Sequence, residues 1–426
     1  MSTPATTQTA RTSPAAPGTG RLPALDTLRA VGALAVLVTH VGFHAGAYDE
    51  GVLGRLVARM DVGVAIFFVL SGFLLARPWL VAARDGLPPP ATRVYLRRRF
   101  WRIYPAYAVV AVAVLLLQPS DRDTGLGTWV TTLTMTGTFV GGPLPYGFTQ
   151  TWSLATEVSF YLILPLLARL LIGTRGLRPR RILLGLGALA LVNVWWTLYG
   201  AAVAAPSGGR TAEWLPAYLT WFAAGLALAL VEVAPARLPR ASAALTRWGS
   251  LPGSCLLVVL GLLLVATSPL AGPTMLEPAT SGESLTKNIA YALVGAVLIV
   301  PAVWGAADSR FIAALTHPLA RRLGLISYSV FLAHMLVIEL VMATTGFTLF
   351  AGRFFSILGL TLAVSLPLAT LLYRFVEVPA LRWGSGRGPD GRRASRATRQ
   401  TATTDAWPVQ ANSPAQPASP PQGRNA

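Results

Sequence analysis

Charge is scarce in this chain. Only 12% of its 426 residues are Asp, Glu, Lys or Arg, about half the share carried by a soluble domain. Too few charges are present to cover a water-facing globule, while 53% of the residues are hydrophobic and mean hydropathy is +0.55. Lysine occurs once, at Lys287, so the net charge of +18 rests on arginine. Those arginines punctuate apolar runs and form no soluble basic surface, which argues against a nucleic-acid partner. Cysteine also occurs once, at Cys255. That excludes an intrachain disulfide framework and a cysteine metal cluster, and leaves Cys255 as a small packing residue in an apolar span. Histidine is limited to His40, His44, His317 and His334. His40 and His44 have the i, i+4 spacing of zinc ligands, but no nearby acid completes a site, so no metal is expected.

What is present is a series of membrane-length apolar stretches. They fall at about 24–44, 61–81, 103–118, 152–172, 182–203, 214–233, 251–270, 287–307, 324–345 and 353–373. The expected fold is an all-α polytopic bundle of about ten transmembrane helices, a multi-pass protein of the cell membrane. The basic residues test that count. Seven fall in 77–102, four in 175–181, three each in 237–247 and 310–322, and eight from 374 onward. The alternate segments hold only Arg55, Arg59, Arg122, Arg210, Lys287 and Arg353. This bias places both termini in the cytoplasm and favours an even number of spans. The expected organisation is a disordered tail at 1–21, a transmembrane domain at 22–383 and a second disordered tail at 384–426. The tails are rich in Thr, Ala, Pro, Ser and Gly. The N-terminus lacks the charged-then-apolar order of a cleaved signal, so the first apolar stretch reads as a true span.

Three constellations place ionisable groups where hydrocarbon would exclude them. In the first span, Asp26, Arg29 and His40 share one helix face, with Arg29 and His40 eleven residues, roughly 16 Å, apart. Such groups face a protein interior or a wet cavity, and a histidine there is a candidate general base. Asp26 and Arg29 also fit a helix cap and an interfacial anchor. In the second, Arg99 and Arg102 form a fork on one helix face at the inner surface. It suits phosphate or pyrophosphate, or simply anchors the span on anionic lipid. In the third, Ser153, Glu157 and Tyr161 lie four apart on a helix, and Glu157 suits the support of a catalytic imidazolium. Lesser signals are Ser71-Gly72 as small-residue helix packing, His334 as a second intramembrane histidine, Glu339 as a partnered or protonated acid, and Arg374 with Glu377 as an interfacial ion pair.

These segments, in this order, resemble the membrane-bound acyltransferase 3 family. The matching stretches are LDTLRAVGALAVLVTH, GVAIFFVLSGFLL, RRRFWRIYP, TWSLATEVSFYLILP, ISYSVFLAH and YRFVEVP, spread over residues 22–383. The resemblance implies an O-acyltransferase that takes its acyl group, acetyl in the simplest case, from acyl-CoA. The acceptor it implies is a hydroxyl of a carbohydrate, glycolipid or macrolide-type molecule. The family's Arg-x10-His pattern falls on Arg29 and His40, its Arg-x-x-Arg pattern on Arg99 and Arg102, and its WSL-type acid on Glu157. The tail after the last span is short, so the chain resembles the stand-alone form without an esterase-like domain. The expected mechanism has Arg99, Arg102 and Arg29 on the CoA side, His40 as base and Glu157 supporting it. Direct transfer and an acyl-histidine intermediate both stay open. A transporter or flippase is the competing reading, since it too would carry buried charges. The absence of a convincing internal repeat weighs against it.

Overall fold

The computed structural model describes residues 22–385 except 122, 174–175 and 275–276. The expected tails, 1–21 and 384–426, lie outside the described residues apart from Gly384 and Ser385. The described residues form no strand. Ten long helices make the bundle: α1 (Pro23–Ala45), α2 (Val62–Asp85), α3 (Thr92–Leu117), α4 (Trp152–Leu171), α5 (Pro179–Trp195), α6 (Leu219–Val233), α7 (Pro252–Thr267), α8 (Ser281–Trp304), α9 (Pro318–Thr345) and α10 (Phe354–Leu372). Nine of them, some lengthened by a continuous turn, are long and apolar enough to cross a membrane. The tenth, α7, meets the short helix Pro239–Gly249 at a 93° bend. Its 16 residues rise only about 24 Å, which explains why it is the marginal span.

In lipid the apolar effect does not press one helix against another, so close packing decides which pairs touch. Small residues make that approach here. A Cβ on Gly72 would sit 2.2 Å from the Phe222 carbonyl oxygen, and one on Gly225 would sit 2.0 Å from the Val69 carbonyl oxygen. These two glycines zip α2 to α6, and stacked Phe160, Phe222 and Phe68 extend the contact to α4. Gly72 is therefore the packing residue its sequence context suggests. Gly72→Val is expected to force the two backbones apart, at about 1–3 kcal/mol or more. Size-exclusion recovery in detergent and the thermal midpoint check it, and a wild-type midpoint would refute the close-packing account.

The last span departs from expectation. The spacing of Arg374 and Glu377 predicts an interfacial ion pair. Residues Tyr373–Glu377 instead wind as a wider π-helical turn, which rotates Glu377 into the bundle. There its buried carboxylate receives Arg102 Nη1 at 2.8 Å and the Ser329 hydroxyl. Arg374 turns outward and lies over the Phe375 ring, 5.8 Å from its centroid.

Candidate active site

Five helices build a cavity of about 270 Å³ at the arginine-rich end of the bundle. α1 contributes Arg29, α2 Ser71, α3 Arg99 and Arg102, α4 Glu157 and Tyr161, and α9 Ser327. Glu157 accepts hydrogen bonds from the Ser71 hydroxyl and from Tyr161 Oη, the latter at 2.6 Å. Ser71 is thus more than a small packing residue. Arg29 donates to Asp26 at 2.8 Å, as their shared face suggests, and Arg102 is committed to Glu377. Arg99 Nε is buried with no hydrogen-bond partner among the described residues. Three guanidinium groups border this cavity; Arg29 and Arg102 are each paired with a carboxylate, whereas Arg99 Nε is not. An anionic group with several acceptor oxygens suits such a cluster of guanidinium groups.

A second cavity, of about 330 Å³, holds His40. Val64 and Phe331 line both cavities and form the partition between them. The Asp26–Arg29–His40 face thus runs along one wall of both spaces, with Arg29 in the first and His40 in the second. Glu157 is not brought to His40: its recorded hydrogen bonds stay in the arginine cavity. The group that touches the His40 ring is His334 of α9, whose Nε2 lies 3.2 Å from His40 Nδ1.

Hydrogen-bond partners assign the tautomers. His334 Nδ1 lies 2.7 Å from the Phe331 carbonyl oxygen, which can only accept, so Nδ1 carries the hydrogen and Nε2 the lone pair. His40 Nδ1 lies 2.7 Å from the Val36 carbonyl oxygen, so it too is N–H. Its hydrogen is shared between that carbonyl and His334 Nε2. The remaining nitrogen, His40 Nε2, then carries a lone pair and is a base. If it takes a proton, the new imidazolium keeps two acceptors on Nδ1–H.

Sequence spacing did not find the surroundings of His40. Asp61, from the turn before α2, receives Lys287 Nζ of α8 at 2.6 Å and the Tyr291 hydroxyl. Arg59 is spent on structure, donating to the carbonyl oxygens of Ala266, Ala271 and Gly272. His44 pairs with Glu339 at 2.8 Å, which answers for two lone ionisable groups of the sequence. His334 was visible in ISYSVFLAH, but no spacing ties it to a residue 294 positions away. Among the described residues, no three His, Cys, Asp or Glu side chains gather as a metal site.

The sequence model of the acyltransferase 3 family, described as an acyltransferase domain, matches residues 22–372. The chain belongs to this family. An acyltransferase, MdmB, of Streptomyces mycarofaciens is 29% identical over 400 residues, covering 87% of this chain and 94% of that protein. The peptidoglycan O-acetyltransferase OatA of Listeria monocytogenes is 29% identical over 195 residues, 42% of this chain and 29% of that protein. A regulator of hypoxia-inducible factor 1 from Caenorhabditis elegans is 26% identical over 177 residues, 35% of either chain. No solved structure matches significantly. As an acyltransferase 3 protein, the chain is a multi-pass membrane O-acyltransferase, which needs an acyl donor and a hydroxylated acceptor. Membership sets the transporter reading aside. Of Arg29, His40, Arg99 and Arg102, the three arginines line one cavity and His40 lines the next.

Proposed function

We propose that the protein transfers an acyl group, acetyl in the simplest case, from acyl-CoA to a hydroxyl of a carbohydrate, glycolipid or macrolide-type acceptor. Acyl-CoA enters from the cytoplasm at the arginine-rich end, and both termini lie on that side. Arg99 and Arg102, with Arg29 beside them, receive CoA phosphates through charge-assisted hydrogen bonds. The thioester reaches past Val64 and Phe331 toward His40. His40 Nε2 removes the acceptor hydroxyl's proton as its oxygen attacks the thioester carbon. The C–S bond breaks, and the imidazolium returns the proton to the leaving thiolate, giving ester and free CoA.

Glu157 takes a different part in this reading from the one its sequence position suggests. It fixes Ser71 and Tyr161 and offsets part of the positive charge around the donor. The Val36 carbonyl and His334 support the imidazolium. The observation that carries the proposal is the adjacency of an arginine-lined cavity and a histidine-lined one across a two-residue partition.

The test is purified protein with acetyl-CoA and a hydroxylated acceptor, monitored for free CoA. CoA release is expected to fall strongly in His40→Ala and measurably in Glu157→Ala. Wild-type rates in both variants would sink the catalytic assignment.

A further inference from the structure

The donor has its arginines and the reaction its base; the acceptor still lacks a hold. The wall of the His40 cavity carries a charged pair for which the mechanism has no use: Asp61, from the turn before α2, and Lys287 of α8. Both also border a neighbouring space of about 520 Å³.

Bracing the bundle does not account for this pair. Asp61 is already held by the hydroxyl of the buried Tyr291. Lys287 Nζ lies 2.6 Å from Asp61 Oδ2, and the two side chains are 31% and 38% exposed. An ion pair that open contributes little to stability. Arg59, on the same wall, is the structural cation: it is 3% exposed and donates to three backbone carbonyl oxygens. Lys287 is the only lysine of the chain, and its ammonium is a compact charge with rotatable donors where arginine offers a planar fork.

The bonding capacity left over defines the ligand. Each carboxylate oxygen of Asp61 receives one protein donor, Lys287 on Oδ2 and Tyr291 on Oδ1, and each keeps a lone pair. One hydrogen on Lys287 Nζ goes to Asp61, and the others meet no hydrogen-bond acceptor among the described residues. A hydrogen-bond acceptor and a donor thus stand 2.6 Å apart on a wall that His40 shares. An anion drawn to Lys287 would meet the Asp61 carboxylate, and a cation drawn to Asp61 would meet the ammonium. A hydroxyl group satisfies both, because it gives a hydrogen to one and takes a hydrogen from the other. Trp152 and Phe331 line the same cavity and supply apolar surface for the ring that carries it.

We propose that Asp61 and Lys287 are the specificity-determining pair for the acceptor and bind a second hydroxyl, other than the one His40 deprotonates. That hydroxyl donates to the Asp61 carboxylate and accepts from Lys287 Nζ. A ring bearing several hydroxyls is thereby held with one of them presented to the base. An acceptor with a single hydroxyl lacks the second hold. This pair rests on the acyl-transfer reading given above.

The test uses the full chain in detergent with acetyl-CoA and three probes. Methyl α-D-glucopyranoside and the glycosylated macrolide erythromycin A carry several hydroxyls, and cyclohexanol carries one. CoA release above the acceptor-free rate is read as transfer. Wild type is expected to prefer a polyhydroxylated probe over cyclohexanol in kcat/KM. Asp61→Asn keeps the shape and an oxygen for Lys287 but loses the charge. Lys287→Met keeps the stem and loses the donors. Each is expected to raise the KM for the polyhydroxylated probe by about tenfold, the equivalent of roughly 1.4 kcal/mol. In the double variant the preference over cyclohexanol is expected to disappear. The KM for acetyl-CoA and the thermal midpoint are expected to stay at wild type.

An unchanged KM for the polyhydroxylated probe in either variant would overturn the pair while leaving the acyl-transfer reading intact. So would a lowered thermal midpoint with both KM values raised together, since that would make the pair a brace between α2 and α8. Transfer to cyclohexanol as efficient as to the other probes, or to none of the three by a protein that binds acetyl-CoA, would also overturn it. Failure to bind acetyl-CoA would instead overturn the donor reading on which the pair rests.

Discussion

His40→Ala is expected to lower acyl transfer by about 10²–10⁴-fold, the usual contribution of a positioned general base. Acetyl-CoA binding should persist, because His40 lies in the second cavity and the arginines line the first. The lost group is specific: Nε2 is the ring nitrogen left with a lone pair once Nδ1–H is shared between Val36 and His334. His40→Gln should be as inactive, since it offers an amide but no basic nitrogen. The cavity of about 330 Å³ leaves space for a small imidazole. Added imidazole should therefore recover part of the rate in His40→Ala and none in wild type. Full activity in His40→Ala would refute the base. Inactivity together with lost acetyl-CoA binding would show that the histidine holds the fold.

The second large effect is expected at the arginine fork, where the two members should behave differently. Arg99 Nε makes no protein hydrogen bond among the described residues, so Arg99→Ala should leave the fold intact. A lost charge-assisted bond to phosphate is worth about 1.5–3 kcal/mol, or roughly ten- to 150-fold in acetyl-CoA affinity. Arg102 also neutralises the buried Glu377. Arg102→Ala strands that carboxylate and should cost about 3–5 kcal/mol in stability on top of weaker binding. Arg102→Ala with Glu377→Gln removes the stranded charge and should restore the thermal midpoint while acetyl-CoA binding stays weak. Equilibrium binding and thermal melts separate the two effects. Unchanged affinity in Arg99→Ala and in the double variant would leave both arginines as anchors of the span.

The fork was legible because Arg99 and Arg102 are three apart on one helix, and local spacing fixes a shared face. The Arg29–His40 face was legible for the same reason, over three turns. What spacing could not supply was depth and rotation relative to other helices. Glu157 lies on a polar helix face whose chemistry suits support of His40, yet α4 turns it toward Ser71 and Tyr161. Glu377 sits three residues from Arg374, and a π-helical turn hands it to Arg102 instead.

By itself the sequence determined the all-helical class, the approximate placement of nine or ten spans and the chemistry each could carry. The reason is that hydrocarbon admits only helices of about 20 apolar residues and makes every buried charge conspicuous. Only the tertiary structure decided which charges meet. The contacts of His40 with His334, Arg102 with Glu377 and Glu157 with Ser71 span 294, 275 and 86 residues. Such contacts depend on how backbones close on glycines such as Gly72 and Gly225 and on where a helix widens into a π turn. Neither leaves a periodic trace along the chain.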